Sequence, residues 1–457
     1  MRIVLYTILL VLAAFQLGAC RKAWLEKKSN TALVVPTTIK DFQALLDNDG
    51  IMNNNLPVLG EEGTDNYYLT DDIFQISAVI DKNAYTWTVD VYEGKTNVTD
   101  WVIPYQQVFY TNVALDGLAE ITPDAGNMDA WKNAKGSALF YRAYAFYCLS
   151  QIFASPYASS TATTDLGIPL RNTSDVNISF PRASVKQTYE QILTDAMEAA
   201  NLLPVAPLYK TRPSRPAAFA LLARAFLAMD EYEKALKYAD SSLVLYNSLL
   251  DFSTLNANAT FPIPRYNDEV IYHATLTSYG LIRRPQRMVI DTLLYASYDS
   301  NDLRKKIFFA DNGMGNVFKG SYNGTQAFFG GIATNELFLI RAECYARLGN
   351  ANAAIADLNR LLEYRYTPAG FIPLTPSGDP EETLRKVLDE RRKELVFTSN
   401  LRWTDLRRLN KDNRFSKTIT RIISGQHYSL PPGDLRYTYP IPDDIINASG
   451  IRQNPRQ

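Results

Sequence analysis

The sequence predicts a mostly α-helical protein in which tetratricopeptide-like helical hairpins form an α-superhelical scaffold, with long irregular loops and a few short strands. The first observation lies between residues 335 and 410, where small residues recur at positions where paired helices touch. Ala342 and Ala346 lie one turn apart on one helix, and Gly349 ends it. Ala354 then marks the inner face of the next helix. This spacing is typical of tetratricopeptide hairpins, in which a missing side chain lets two helices approach closely.

The second observation is an earlier copy of the same pattern. Small or turn-forming residues recur there at the same intervals, so a second helical hairpin is predicted. The matching pairs, each 119 residues apart, are Ala223 with Ala342, Phe226 with Tyr345, Asp230 with Gly349, Tyr232 with Ala351, and Ala235 with Ala354. The chain is therefore predicted to contain a stack of such hairpins.

The composition suits a large globular protein and argues against nucleic-acid binding. The chain has 457 residues, with 47 basic and 48 acidic side chains and a formal net charge of -1. A protein that grips phosphates normally carries a basic excess. The chain is also rich in rings, with 28 Tyr, 21 Phe and 5 Trp. A surplus of aromatic side chains on the surface would suit a ligand with flat apolar faces.

The first residues are predicted to be an export signal. Arg2 precedes an apolar run, Ile3 to Phe15, that is too short for a comfortable membrane span. The sequence Leu17-Gly18-Ala19-Cys20 then resembles a bacterial lipobox. The resemblance implies a lipoprotein signal peptide at 1–19, an acylated Cys20, and a lipid-anchored lead-in at 20–36. The alternative is an ordinary signal peptide with a chance cysteine.

Helical periodicity and capping residues predict the main helices. Trp101 opens a helix that tolerates Pro104 in its first turn, and Ser184 caps a later one. Cys148 and Cys344 fall in apolar helical segments and are predicted to be buried free thiols rather than a disulfide. The predicted helical ranges are 38–48, 101–115, 128–153, 184–203, 217–229 and 232–246, with further helices inside 335–410.

Two long segments lack helical periodicity. Residues 50–94 are rich in Asn, Asp, Gly and Tyr, and are predicted to form long loops with one extended piece at 85–92. Residues 247–334 are predicted to form loops and short strands whose aromatic side chains look exposed. Long loops inside a compact domain tend to carry function. We therefore expect the ligand site in these two segments.

Four segments of the chain carry a resemblance to a known family. They are KGSALFYRAYAFYCLSQIFASPY with GIPL, PSRPAAFALLARAFLAMDEYEKALKYAD, ATNELFLIRAECYARLGNANAAIADLN through ERRKEL and RWTDLRR, and the closing YPIPDDII with QNP. In this order they resemble the SusD/RagB family, the lipid-anchored glycan-binding proteins of Bacteroidetes outer membranes. The resemblance covers nearly the whole mature chain and implies a SusD-like N-terminal region at 37–250 and a SusD/RagB C-terminal region at 251–457.

The resemblance also implies a function. Members of the family sit over a TonB-dependent, SusC-like outer-membrane transporter, hold an oligosaccharide or another nutrient for import, and are not enzymes. For this chain the expectation is a nutrient-binding lipoprotein of the outer membrane that faces the cell surface. No cofactor is expected.

A glycan site needs aromatic rings for the C–H faces of a sugar beside polar groups for its hydroxyls. Two clusters in the irregular segments offer both, and their members are the predicted ligand-binding residues. The first comprises Asp65, Asn66, Tyr67, Tyr68, Tyr85 and Trp87, and the second comprises Tyr298, Tyr322, Asn323 and Phe328. The alternative for Asp65, with Asp71 and Asp72, is a Ca²⁺ site, although EF-hand spacing is lacking.

Catalysis finds little support in the sequence. His273 and His427 have no metal-spaced partner, so both are predicted to be structural, and no metal site is expected. Adjacent carboxylates such as Glu61 and Glu62 point apart on a regular element and say little about a glycosidase. A tetratricopeptide scaffold that binds a peptide or protein, and a glycoside hydrolase, remain as alternatives.

A group of arginines near the end of the chain could be read as an anion site. Acidic residues lie among them at helical spacing, so internal salt bridges are the prediction. The side chains of Trp101, Trp131 and Trp403 are predicted to pack inside the protein rather than to bind sugar. The arginines are Arg391, Arg392, Arg402, Arg407 and Arg408.

Overall fold

The structure, a computed structural model, describes residues 36–457. The predicted signal peptide, Cys20 and the lead-in up to residue 35 lie outside the described residues. Residues Ile39–Gln457 form one compact unit. Within the part of the chain that is described, the helices are too short or too polar to cross a membrane.

Helices dominate the described residues, which confirms the predicted mostly α-helical fold. About 47% of the described residues are helical, and the strands among them are few and short. The seventeen α-helices of residues 36–457 are α1 (Ile39–Leu46), α2 (Asp49–Met52), α3 (Leu59–Glu62), α4 (Asp71–Ile76), α5 (Val79–Tyr85), α6 (Thr99–Ala119), α7 (Met128–Phe153), α8 (Val185–Leu202), α9 (Arg215–Ala228), α10 (Tyr232–Leu245), α11 (Thr292–Ala296), α12 (Arg304–Ile307), α13 (Thr334–Arg347), α14 (Ala351–Leu362), α15 (Pro380–Glu394), α16 (Leu401–Leu409) and α17 (Asp443–Ser449).

The strands pair only in antiparallel fashion in this part of the chain. One sheet has four strands in the order β1-β5-β7-β6, and β2-β3, β4-β8 and β9-β10 form pairs. The four-stranded sheet joins the two irregular segments, because Tyr67 of the first lies opposite Ile290 of the second. The strands are β1 (Tyr67–Tyr68), β2 (Leu166–Pro169), β3 (Arg182–Ser184), β4 (Val270–Tyr272), β5 (Val289–Ile290), β6 (Phe309–Asp311), β7 (Asn316–Phe318), β8 (Ile332–Ala333), β9 (Ile419–Ile423) and β10 (Gln426–Leu430).

The two predicted helical hairpins are confirmed as α9–α10 and α13–α14. The alanines at the matching positions, Ala223 and Ala342, are fully buried where the paired helices meet. The turns match too, because Asp230 has a φ of 62° and Gly349 a φ of 82°. Both turns use the left-handed conformation that reverses a chain after a helix. A glycine adopts it without strain, whereas Asp230 is one of the few side-chain types that tolerate it.

The long helix α7 is the centre of the N-terminal half. It has the predicted bounds, and it is buried along most of its length from Ala134 onward. It packs along α6 and α8, where Arg142 donates to both carboxylate oxygens of Asp195 at 2.8 Å and to Asn112 at 2.9 Å. A buried ion pair that is fully hydrogen-bonded fixes the three helices in one arrangement. The partly buried thiol of Cys148 on this helix is free, as is the buried thiol of Cys344.

The prediction for residues 50–94 is partly wrong. In place of long loops the structure has four helices of one or two turns, α2 to α5, and residues 85–92 form no strand. Helices this short show no periodicity in sequence. Thr70 shows how they form, because its hydroxyl accepts the backbone N–H of Ile73 and caps α4. Trp87, in the expected strand, has a φ of 55°, which turns the backbone out of an extended path.

A buried ionic network holds the second irregular segment, residues 247–334, against the C-terminal helices. Arg365 donates to Glu269 at 2.7 Å and to Glu394 at 2.8 Å. Arg304 bonds Asp302 at 2.6 Å and the second oxygen of Glu394 at 3.1 Å. The five side chains are completely buried. These ion pairs, which meet at Glu394 at the end of α15, therefore hold in place a segment that has little regular structure of its own.

Four of the five arginines form salt bridges. Arg391 and Arg408 pair with Asp405, a carboxylate near them in sequence, as predicted. Arg392 and Arg402 pair instead with Asp65, which is distant in sequence. Arg407 differs, because it donates to the backbone carbonyls of Gln151 and Ala154 at the end of α7. A guanidinium there satisfies carbonyls that have no partner inside the helix. The other pairs are Arg391 with Asp405 at 2.8 Å, Arg392 with Asp65 at 3.3 Å, Arg402 with Asp65 at 2.6 Å, and Arg408 with Glu343 at 2.5 Å.

Candidate functional site

The first predicted cluster lies mostly inside the protein. The rings of Tyr67, Tyr85 and Trp87 are each 1% exposed. Arg421 of β9 lies over all three, with its guanidinium 4.2 Å from the centre of Tyr85 and 5.0 Å from that of Trp87. These three rings therefore lie in the protein interior. The cause is a hairpin more than three hundred residues away in sequence, which covers them with a cation.

The polar residues of this cluster are also buried within the protein. Asp65 accepts two hydrogen bonds from Arg402, at 2.6 and 2.8 Å. Burial would raise the pKa of Asp65, but Arg402 and Arg392 hold it well below its usual value. Surrounding cations of this kind do not favour Ca²⁺. Asn66 is fully buried, and only Tyr68, which is 38% exposed, presents its side chain to solvent in this cluster.

The second cluster is buried as well. The Tyr298 hydroxyl donates to the Lys393 carbonyl at 2.7 Å, and Tyr322 donates to Glu269. The ring of Phe328 stacks on Phe397 with centroids 4.7 Å apart. The expectation that these rings are exposed is wrong, because each packs against other buried groups of the protein.

Asn323 completes this cluster and partners one of the two histidines. Its side-chain oxygen lies 3.1 Å from Nε2 of His273, and both residues are buried. Burial lowers the pKa of His273 to about 4, so the ring is neutral at physiological pH. This arrangement agrees with the predicted structural role of His273. Contact of the ten predicted residues with a ligand stays a prediction, and the buried rings would need the core to open.

A different surface brings rings and polar groups together in the open. Trp101, Tyr105 and Phe109 follow one another at intervals of one turn on α6, so they lie on the same face. Phe180 and Arg171 come from the connection between α7 and α8, and Ile445 from α17 closes the far side. These residues line a cavity of about 480 Å³, which we call the aromatic groove. Its volume is typical of a small-ligand site.

The rings of the aromatic groove are held in place by neighbours. Trp101 packs against Tyr105 with centroids 4.8 Å apart, and meets Phe153 edge-on at 5.0 Å. The Tyr105 hydroxyl donates to the Pro169 carbonyl at 2.9 Å. Burial raises the pKa of Tyr105, so its phenol stays protonated. Trp101 is 4% exposed, which agrees with its predicted packing role, but its edge reaches the groove.

The outer end of the groove is more accessible and carries its charge. Phe109 is 39% exposed. The guanidinium of Arg171 lies 5.5 Å from the ring centre of Phe180, a cation–π distance. Arg171, Ser179 and Ser449 are the hydrogen-bonding side chains of the lining besides Trp101 and Tyr105. The described residues that line the groove include no Asp or Glu, so they do not supply the carboxylate pair of a glycoside hydrolase.

Sequence reasoning missed this groove. A signal existed, since Trp101, Tyr105 and Phe109 share a helix face, but rings at that spacing more often pack in a core. The partners Phe180 and Arg171 lie in a connection rich in Ser, Thr and Pro. Only the fold shows that this connection reaches the same face.

Comparison with known proteins identifies the family. A family model described as "Starch-binding associating with outer membrane" matches residues 23–227, and the model of the SusD family matches residues 332–456. The chain belongs to the SusD/RagB family. The two matched ranges of this SusD-family protein include all but the last residue of α9 in the first hairpin and the whole of the second hairpin.

Relatives and solved structures agree with this assignment. SusD-like protein P2 of Formosa agariphila is 22% identical over 425 residues, 78% of this chain and 79% of the relative. A putative sugar binding protein from Bacteroides vulgatus has a TM-score of 0.73 at 21% identity, over 92% of this chain and 99% of the other. Surface glycan-binding protein A from Bacteroides uniformis has a TM-score of 0.70 at 16% identity, over 92% and 100%. At these identities the structural likeness shows the SusD fold.

Proposed function

We propose that this protein binds a glycan or oligosaccharide without covalent chemistry in the aromatic groove and delivers it to a partner TonB-dependent transporter. The observation that carries the proposal is that accessible rings and a guanidinium line one 480 Å³ cavity together. In this proposal the protein is an outer-membrane lipoprotein, acylated at Cys20 and facing the cell surface.

The shape of a sugar suits this groove. A pyranose has C–H faces that stack on rings, and the groove offers Phe109 and Phe180 at its outer end. Its hydroxyls need donors and acceptors, and Arg171 and Ser179 lie beside those rings. The deeper wall, with Trp101 and Ile445, is apolar and excludes water from a bound sugar.

Binding at such a site need not be tight to be useful. A protein anchored beside a transporter raises the effective concentration of a captured sugar at the transporter mouth. Weak binding also allows release, which a delivery step requires. The fixed helices α6 and α7 supply a rigid wall, so little ordering is needed when the sugar arrives.

The names of similar proteins support this proposal. The matching family model is described as starch-binding and associated with the outer membrane. Two of the similar solved structures are named as a putative sugar binding protein and a surface glycan-binding protein. Glycan binding is therefore the coarse function favoured for this chain, and the transporter partner and the lipid anchor are further parts of the proposal.

The test is a calorimetric screen of neutral polysaccharides and their oligosaccharides with the protein lacking residues 1–20. We expect at least one neutral glycan to bind, and the Phe109→Ala and Phe180→Ala variants to bind it about fivefold more weakly, since one ring contact is worth about 1 kcal/mol. Tyr209→Ala is the matched control, because Tyr209 is also an exposed ring beside an arginine, at 5.7 Å from Arg212.

Two results would contradict the proposal. One is that every neutral glycan binds with the same affinity to the wild-type protein and to both groove variants. The other is the appearance of reducing ends when the protein is incubated with a glycan that it binds, which would indicate hydrolysis.

A further inference from the structure

A second cavity of about 320 Å³ has five cationic residues among the twelve that line it. It lies along one face of α15 and one face of α16, and residues 410–417 close it. Asp389 is the one carboxylate among the described residues that line it. We call this cavity the basic groove, and its five cationic residues are Arg385, Arg392, Arg402, Arg414 and Lys417.

At its inner end three cations share one carboxylate. Arg402 bonds Asp65 at 2.6 Å, Lys417 bonds it at 2.8 Å, and Arg392 lies 3.3 Å from it. Arg392 also reaches Asp291, but at 3.4 Å. Three positive charges therefore cluster around Asp65, whereas Asp291 is more distant and 32% exposed. The Lys417 side chain is 46% exposed, so part of this positive charge faces solvent.

Two hydrogen-bond donors at the groove lack an acceptor within the described protein. They are Nε of Arg392 and Nδ2 of Asn410, and both atoms are buried. Buried donors without an acceptor are unfavourable by about 1–3 kcal/mol each. A ligand rich in acceptor oxygens would relieve this, whereas a further donor would not.

At its outer end the cations are held only loosely. The guanidiniums of Arg385 and Arg414 lie 5.4 and 5.2 Å from the ring centre of Phe415. Arg385 pairs with Glu381, where the two side chains are 51% and 41% exposed. Arg414 pairs with Asp412 and is 50% exposed. Exposed pairs of this kind contribute about 0–1 kcal/mol, so a ligand anion can replace either carboxylate.

We propose that the basic groove binds an acidic sugar, meaning a sugar unit that carries a carboxylate or a sulfate ester. Leu388, Leu406 and Leu409 provide an apolar floor for the C–H face of the ring. Arg385, Arg414 and Lys417 meet the anionic group, and Asp389 accepts from a hydroxyl. This inference rests on the proposed glycan binding, but it concerns a different cavity and a different charge class.

The charges of the two grooves separate their ligands. The aromatic groove has one charged lining residue, Arg171, and suits a neutral sugar. The basic groove has five cations, of which three are substantially exposed. Charge attraction at an exposed site weakens with ionic strength, so binding in the basic groove is expected to depend on salt.

The test uses calorimetry at low and high salt with the protein lacking residues 1–20. The probes are an oligogalacturonate, a sulfated oligosaccharide, a neutral malto-oligosaccharide and inorganic sulfate. We expect one acidic oligosaccharide to bind, with an affinity at least tenfold lower in the Arg385→Gln/Arg414→Gln double variant and lower in high salt. Arg360→Gln is the matched control, because Arg360 is 48% exposed, pairs with Glu363 and lies in another cavity.

Each outcome decides a point. Loss of acidic-sugar binding in the double variant supports the inference, provided that the double variant keeps the melting temperature of the wild-type protein. The Arg360→Gln variant should bind the acidic sugar with the wild-type affinity. Equal affinity of the double variant and the wild-type protein, or no binding of either acidic oligosaccharide, overturns it. Binding of inorganic sulfate as tight as that of the oligosaccharides overturns the sugar assignment. The Phe109→Ala variant separates the two proposals, because it should weaken neutral glycans and leave the acidic ones unaffected.

Discussion

The helical hairpins and the irregular segment 247–334 differ in what fills their closest contacts, although the hairpin helices also form ion pairs such as Arg224 with Glu336 and Arg341 with Asp357. In the hairpins, the positions where the helix backbones meet carry small uncharged side chains, such as the buried Ala223 and Ala342. The irregular segment is instead fixed by large ionised side chains. Arg304 within the segment and Arg365 beside it are completely buried among carboxylates. The comparison shows that a helix can rely on close packing, because its backbone hydrogen bonds are already made. A segment without that regularity depends on side chains for its position.

The strongest test of this contrast is the substitution Arg365→Met. It leaves Glu269 and Glu394 buried without the cation that joins them. Removing one partner of a buried ionic network typically lowers the free energy of unfolding by about 3–5 kcal/mol. We expect a decrease of that size in urea unfolding of the protein lacking residues 1–20. A decrease below about 1 kcal/mol would mean that the network does not hold the segment.

The hairpins should respond to added volume instead. Ala342→Leu places extra methyl groups where α13 meets α14, and overpacking typically lowers the free energy of unfolding by about 1–3 kcal/mol. The matched control is Ala353→Leu, since Ala353 lies on α14 but is only partly buried. Urea unfolding should show a clear difference between the two variants. Equal stabilities would contradict close packing as the basis of this hairpin.

Glu61 sharpens the contrast, since it is a buried carboxylate with no cation beside it. Burial raises its pKa from 4.5 to about 8, although the backbone N–H of Asn400 donates to it at 2.9 Å. The folded protein therefore keeps a proton that the unfolded chain releases. Between pH 4.5 and about 8 the free energy of unfolding should fall as pH rises, by at most about 1.4 kcal/mol per pH unit.

The substitution Glu61→Gln should remove that part of the pH dependence. We expect the variant and the wild-type protein to have similar stabilities near pH 4.5, and the variant to be the more stable above pH 8. Unfolding curves at a series of pH values measure this. Parallel pH profiles for the two proteins would show that Glu61 does not titrate in this way.

The smallest effect is expected for a surface pair. Arg360 and Glu363 lie 3.4 Å apart and are 48% and 59% exposed. Arg360→Gln should change the free energy of unfolding by less than about 1 kcal/mol, and less still at high salt. A larger change would mean that exposure does not separate this pair from the buried network.

The regular part of the fold was predictable because its signals are local. The helix α7 has the predicted bounds, and Ser184 forms the predicted cap of α8, with Gln187 completing a capping box. The alanine pattern likewise predicted both hairpins. Helices of one or two turns, such as α3 and α4, give no periodicity to detect, so they were missed.

The candidate site was hard to predict because burial in the irregular segments is set by distant residues. Arg421 covers Tyr85 and Trp87 from a hairpin near the end of the chain. Nothing near those rings in sequence indicates this contact. Part of the aromatic groove, the ring face of α6, was visible in the local sequence. The other lining residues Phe180 and Arg171 reach that face only in the folded protein.

The position of Trp101 has a practical consequence. Its indole edge reaches the aromatic groove, whereas Trp87 and Trp403 are sealed in the interior. A molecule that binds in the groove changes the polarity around the indole of Trp101, whereas the emission of Trp87 and Trp403 stays constant. The intrinsic fluorescence of the unlabelled protein can therefore report occupancy of this cavity and serve as a rapid titration assay for glycan libraries.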